Sequence, residues 1–427
     1  MRTYEILERM APLLGNRVFR RLYAAQVASL LGSGLLTVGL ALLAARLAGD
    51  DAGVVLGTAL TIKMVAYVGM APVMRAACER LPRAAVLVGA DAVRLVMVAA
   101  LPLVTQVWQV YVLVFALQTA SATFTPTFTA VIPAIVGDRE QYTRAVAASR
   151  AAYDLEALVS PILAAALLLT VPTSGLFLIA ATGFAASAAL VGSVRTGLHT
   201  SAPPAAPTLP FHRRATAGLQ IMVSHRVFRG LIAVNLCCAA TTAPVMVYSV
   251  VYVHTGLGMG ATALAVLLAA GGIGSLCIAL PLPTISRIAP PRAIATAGAL
   301  TGCVALLLTA VAHLAGLTYP ALLALWFVTG IATSLMNTSA PRLIADHATP
   351  GTAADVFTAQ FSASHAAYLI AYPIAGATAT LGAAGPAILL GVALIGLTGA
   401  ALAWRPAAGV RSATRRLPTR ARVATPH

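Results

Sequence analysis

Charge is scarce in this sequence. Asp, Glu, Lys and Arg together make up 9% of its 427 residues, against roughly 25% in soluble domains, and Lys63 is the sole lysine. With 59% of residues hydrophobic, a fold in water would have too little polar surface to cover itself, so the bilayer is the solvent this chain suits. The formal charge of +16 does not point to nucleic acid. The arginines are distributed between apolar runs, and no continuous basic stripe exists. Also missing are a Walker loop, an HExxH pair and a GxSxG elbow, so neither a nucleotide engine nor an enzyme is expected. The five cysteines (Cys78, Cys237, Cys238, Cys277 and Cys303) have no zinc spacing and read as small core residues. Aromatics are only 6% of the chain, which favours a small substrate over a large organic one.

What is present is length in apolar runs. Twelve stretches can be cut out, at 22–45, 52–74, 84–103, 107–131, 146–171, 176–194, 231–253, 261–281, 293–314, 320–337, 356–379 and 385–404. Most are about 20 residues long, enough to cross a hydrocarbon core of ~30 Å. They lack the alternation of barrel strands, so helices are expected. The arginines fall at alternate loops, and of the outer segments only one receives a basic residue, Arg46. That bias places both termini in the cytoplasm of a multi-pass bacterial inner-membrane protein.

The two halves repeat. NRVFRRL at 16–22 parallels HRVFRGL at 225–231, ERLPR at 79–83 parallels SRIAPPR at 286–292, and AASRAAY at 147–153 parallels SASHAAY at 362–368. The order is kept, and an even number of spans leaves both copies in the same orientation, the parallel repeat of alternating-access transporters. The predicted fold is all-α, with two pseudo-symmetric six-helix bundles at 1–194 and 225–404. Between them lies a linker at 195–224, and a basic tail follows at 405–427. The proline-rich stretch SAPPAAPTLPFHRR within 195–229 predicts an irregular loop, and the tail predicts disorder.

CERLPRAAVLVGADAVR at 78–94 resembles the major facilitator signature, with Glu79 where an aspartate is usual and Arg80 and Arg83 as the basic members. The run 124–165 is similar to the corresponding region of the enterobactin-exporter and macrolide-efflux branch. WQVYVLVFALQTASATFTPTF with SRAAYDLEALVSP is most similar to bacterial nickel-resistance exporters, although the tail here is arginine-rich where theirs is often histidine-rich. The resemblance implies a secondary active exporter, an antiporter driven by the proton gradient, with no cofactor. Its partners would be the lipid bilayer and a small-molecule or metal-ion substrate, without nucleic acid, and a monomer is expected. Nickel or cobalt leads among substrates, and a siderophore or drug-like molecule is the alternative.

Ionisable residues at membrane depth cost roughly 2.5–3.5 kcal/mol each and are candidates for function. Arg150 and Asp154, four apart, share a helix face and can pair; Glu156 is turned away from both. Either acid is a candidate proton carrier, with Glu156 first because Arg150 holds Asp154 in its charged form. The plainer alternative is a fixed Arg150–Asp154 ion pair. Lys63 either receives an anionic substrate or pairs with one of these acids. His365, at the position matching Arg150 in the second copy, is a proton shuttle, a metal ligand or a satisfied core histidine. A metal path would use Asp154, Glu156 and His365. Asp91 and Arg94 are read with Glu79, Arg80 and Arg83 as a cytoplasmic gate. Gln26, Tyr153, Asn235 and Asn337 are polar groups of the cavity or, with Gln118 and Gln360, glue between helices.

Overall fold

The computed structural model describes residues 15–48, 52–136, 138–194, 210–259, 261–349, 351–379 and 381–405. The first half contains α1 (Arg17–Ala48), α2 (Ala52–Val65), α3 (Ala71–Ala77), α4 (Arg83–Ala100), α5 (Val107–Ile135), α6 (Arg139–Leu168) and α7 (Thr173–Gly192). A π-helical turn, Ala66–Met70, joins α2 to α3 in one rod. Then come α8 (Phe211–Ser224), α9 (Arg226–Val250), α10 (Ala261–Ala279), α11 (Leu282–Ile288), α12 (Pro291–Leu314), α13 (Tyr319–His347), α14 (Ala353–Thr378) and α15 (Ala384–Trp404). Between α10 and α11 the chain bends by 53° at Leu280–Pro281.

Each of the twelve expected stretches is helical. Among the described residues, eight helices are long and apolar enough to span a membrane by themselves, or nine if the bent α10–α11 pair counts as one. The other rods, α2–α3, α6 and α14, are broken by the π-turn or carry the polar residues described below. Helix starts follow local chemistry. Pro82, Pro172 and Pro290 precede first turns, where a missing N–H costs nothing, and the Asp138 carboxylate accepts from Gln141 N at 2.7 Å. Within the bilayer, hydroxyls turn to their own helix: Thr123, Thr127 and Thr129 each donate to the carbonyl four residues back, leaving no donor to face lipid.

The halves pack alike. α1 lies on α6 and α7 as α9 lies on α14 and α15, and α4 meets α7 as α12 meets α15. Small residues set the closest crossings in both copies. A Cβ at Gly32 would approach the Ala180 carbonyl to 2.8 Å, and one at Gly396 would approach the Ala233 carbonyl to 2.6 Å, so only glycine lets α1 meet α7, or α9 meet α15, this closely.

The linker corrects an expectation. Residues 195–209 lie outside the described residues, but Phe211–Ser224 is the helix α8, not irregular loop. Past Pro210 its sequence carries no further proline, and Met222 is fully buried against α9 and α14. A Cβ at Gly218 would collide with the Asp355 backbone, so α8 is pressed against α14. Tertiary burial, which composition does not show, orders this segment. The arginine-rich tail beyond Arg405 lies outside the described residues.

Candidate functional site

Arg150 and Asp154 do pair, at 2.7 Å. Asp154 is the sixteenth residue of α6, roughly 22 Å from the helix start and near its midpoint. The pair is not closed on itself. Ser275 of α10, from the other half, donates to Asp154 Oδ2 at 2.7 Å and accepts from Arg150 Nε and Nη2 at 3.1 and 2.9 Å. Asp154 and Ser275 are buried, while Arg150 is partly exposed. One hydroxyl thus completes an ion pair and joins the two halves at mid-depth. Sequence pattern does not single out Ser275. It sits in AAGGIGSLC, where a serine reads as one more small packing residue.

Beside this bridge lies a cavity of about 160 Å³, and Gln26, Ser149, Arg150, Tyr153 and Asn337 are among its lining residues. Three of the four expected cavity-polar residues are therefore brought together with Arg150. Ser149 donates to Gln26 Oε1 at 2.8 Å, which fixes that amide across α1 and α6. Asn235, the fourth, exchanges hydrogen bonds with Gln360 at 3.0 and 2.8 Å between α9 and α14. Its amide is satisfied there, in the role of glue.

Glu156 faces elsewhere. It accepts from Ser160 at 3.2 Å, and a Cβ at Gly34 would collide with both side chains. The carboxylate is therefore wedged between α6 and α1 of its own half. Lys63 lies near enough to act electrostatically on Glu156 and on His365. Among the described residues it has no ion-pair partner, and its ammonium sits 5.6 Å from the centre of the Tyr67 ring, a cation–π contact. Tyr67 belongs to the π-turn, a local geometry that frequently marks functional sites. Its ring also meets Phe361 and His365 of α14, the latter edge-on at 4.6 Å. The His365 Nδ1–H donates to the Phe361 carbonyl at 2.7 Å, so Nε2 holds the ring's remaining lone pair. Lys63, Tyr67 and His365 form a second connection between the halves, reinforced by Ser362 donating to the Tyr67 carbonyl at 3.3 Å.

No three His, Cys, Asp or Glu side chains among the described residues are grouped to hold a metal ion. The expected ligands are apart for identifiable reasons. Asp154 is held by Arg150, Glu156 is wedged against α1, and His365 is enclosed by Tyr67 and Phe361.

The five residues read as a gate divide. Asp91 and Arg94 pair at 2.8 Å, both buried. Arg94 donates to Ser29 at 2.8 Å and is flanked by the rings of Phe124 and Phe184 at 4.2 and 4.9 Å. This pair ties α4 to α1, α5 and α7 within the first half and does not reach the second. Arg83 donates to the Ala130 carbonyl at 3.4 Å, Arg80 is exposed, and Glu79 acts electrostatically on Asp355. Among the described residues, ion pairs between the halves come from residues not singled out by the signature. Arg75 meets Asp355 at 2.9 Å, Arg139 meets Asp346 at 2.7 Å, and Glu140 meets Arg287 at 2.5 Å. Tyr142 donates to the Pro341 carbonyl at 3.1 Å beside them. All lie at the arginine-rich end, which is thereby closed. Glu140 also takes Arg144 at 2.5 Å, and these hydrogen bonds hold its carboxyl below the ordinary carboxylate range. Asp355 is shifted upward by burial, with Arg75 opposing the shift.

Comparison with known proteins places this architecture. The human organic anion transporter MFSD10 (TETRAN) superposes with a TM-score of 0.75 at 16% identity, covering 90% of this chain and 99% of that one. A bacterial homologue of the iron transporter ferroportin, in its outward-facing state, gives 0.69 at 15% identity over 90% and 97%. The fucose:proton symporter FucP of E. coli gives 0.66 at 14% identity over 91% and 98%. These likenesses are of fold. No curated protein sequence matches the chain. The family model described as Major Facilitator Superfamily matches residues 22–319, and the chain belongs to that superfamily of multi-pass transporters.

Proposed function

We propose that this chain is a secondary active transporter of a small organic anion, working by alternating access, with Asp154 as its proton-exchanging group. The observation that carries the reading is the Arg150–Asp154–Ser275 bridge, which joins the halves at mid-depth beside a polar cavity. Alternating access needs a contact between halves whose strength depends on what is bound. Here that contact contains a titratable acid.

Electrostatics favours an anion. Lys63 has no ion-pair partner among the described residues, and Arg150 lines the cavity. A substrate carboxylate or sulfonate would supply the counter-charge to Arg150 when Asp154 is protonated, and the Gln26, Tyr153 and Asn337 side chains would orient it. The neighbour MFSD10, described as an organic anion transporter, is consistent with that class. A divalent-metal substrate would need donors that are here held apart.

The arginine bias supports a cytoplasmic side for the closed, arginine-rich end, in a bacterial inner membrane. The bridge also sets a sign for coupling. While Asp154 is ionised it neutralises Arg150. Protonating Asp154 frees the guanidinium for the substrate anion, so proton and anion bind together. Linkage of this kind yields cotransport. Exchange, the expectation from the exporter resemblance, would require the two to compete for one group.

The test uses proteoliposomes with an internal pH dye, given benzenesulfonate or succinate outside, against protein-free vesicles. Cotransport acidifies the lumen as the anion enters. Alkalinisation would establish exchange, and no pH change with either anion would remove proton coupling or the substrate class.

A further inference from the structure

A second cavity, of about 200 Å³, runs along the seam between the halves where α2–α3 faces α14, beneath α8. On α14 its wall includes Ala359, Ala363 and Ala366, which share one helix face, with Thr358 and Ser362 beside them. Val68 and Pro72 form the facing wall, and Leu219 of α8 covers it. Along α14 the slot extends from Asp355 to Ala366, roughly 16 Å at 1.5 Å per residue. Thr216 also lines it, but the slot's exposed wall surface is mainly apolar over this length, and the Arg75–Asp355 ion pair crosses its arginine-rich end. A narrow, long, apolar slot with one charged end suits an alkyl chain, not a polar solute.

The outer surface of α8 points to the same class of ligand. Leu219 and Val223, one turn apart, are 50% and 53% exposed. Beside them are the exposed cations of Arg213, Arg226 and Arg229, together with exposed His212. No acid occupies the first turn of α8, so the positive end of its dipole is uncompensated. An amphipathic helix with exposed apolar residues next to arginines lies at the level of lipid headgroups and attracts anionic ones.

The geometry points to a binding site for an anionic phospholipid, with one acyl chain in the slot and its phosphate at His212 and Arg213. The slot's walls come from opposite halves, α3 and α14, and its cover from the helix that links them. A bound lipid therefore spans the seam and holds the arginine-rich end closed, because parting the halves would separate the walls. This site is independent of the transported substrate.

The test is native mass spectrometry of the full chain, delipidated in detergent and titrated with phosphatidylglycerol or phosphatidylcholine of identical acyl chains. One phosphatidylglycerol should be retained at a concentration at least ten-fold lower than phosphatidylcholine. Ala363→Phe, which fills the slot, should raise the concentration needed for both lipids at least ten-fold. Arg213→Gln should bring the two lipids within about three-fold of each other without abolishing retention. Thermal melting of each variant reports whether it folds. If Ala363→Phe does not fold, the smaller Ala363→Leu and the surface variant Arg213→Gln decide. Equal retention of the two lipids by the wild type, or unchanged retention in a folded slot-filling variant, would overturn the site.

Discussion

Ser275 Oγ donates to Asp154 Oδ2 at 2.7 Å while taking the Arg150 guanidinium at 2.9 Å, so a single hydroxyl of α10 completes an ion pair on α6. Ser275→Ala removes this one tie between the halves and leaves the Arg150–Asp154 pair in place. A hydrogen bond to a charged group contributes about 1.5–3 kcal/mol, so the ratio of closed to open states at the arginine-rich end should fall roughly ten- to a hundred-fold. Spin-label distances between the ends of α6 and α13 would measure it. An unchanged distribution would mean that the bridge does not hold the seam.

Arg94→Ala should destabilise the protein strongly. It leaves the buried Asp91 carboxylate without its partner, a loss of about 3–5 kcal/mol for buried pairs. Arg83→Ala, which gives up one long bond to a backbone oxygen, should cost under about 1 kcal/mol. Thermal melting of the two variants separates an internal brace from a gate. A gate role for Arg94 would instead show normal melting with slowed turnover.

Lys63→Gln should weaken anion binding about ten- to a hundred-fold, the range for losing a charge-assisted hydrogen bond, with melting little changed because the lysine has no ion-pair partner among the described residues. Lys63→Arg should restore most of the affinity. Isothermal titration with benzenesulfonate is the check. A large fall in melting temperature for Lys63→Gln would identify a structural lysine.

Closure at the arginine-rich end should depend on pH through Glu140. Its carboxyl is held below the ordinary range first by the hydrogen bond from Arg144, then by that from Arg287. A depressed folded value means that the contribution is fully present above the unfolded value, about 4.3, and is lost as pH falls through the folded value. The Glu140-dependent part of the closed population, read from spin-label distances across α6 and α11, should therefore be flat from about pH 8 to 5 and decline only below about 4. Glu140→Gln should remove the acid decline. A decline beginning near neutrality would assign closure to another group.

The helical rods were legible because bilayer thickness and backbone satisfaction leave apolar runs of this length no other structure. The Arg150–Asp154 pair was legible because four residues is one helical turn. What stayed hidden depends on which helix faces meet. Asp91 and Arg94 lie close in sequence to the loop signature, yet their side chains turn inward to Ser29, Phe124 and Phe184. Glu156 looked free of Arg150, and it is, but the face it turns to is Gly34 of its own half, not the cavity. Ser275 carried no signal, since its importance comes from an acid 121 positions away. The order in α8 comes from burial of Met222, which a window rich in proline and arginine conceals.

The most direct test of the account is pH-driven flux in proteoliposomes, measured beside substrate exchange without a gradient, for Asp154→Asn, Ser275→Ala and Glu156→Gln. Asp154→Asn should lose stimulation by the pH gradient while retaining exchange, because a neutral amide mimics the protonated acid permanently. Ser275→Ala should keep coupling with altered rates, and Glu156→Gln should keep it largely intact. Normal pH-driven flux in Asp154→Asn, with coupling lost in Glu156→Gln, would contradict the account and move the proton to the acid wedged against α1.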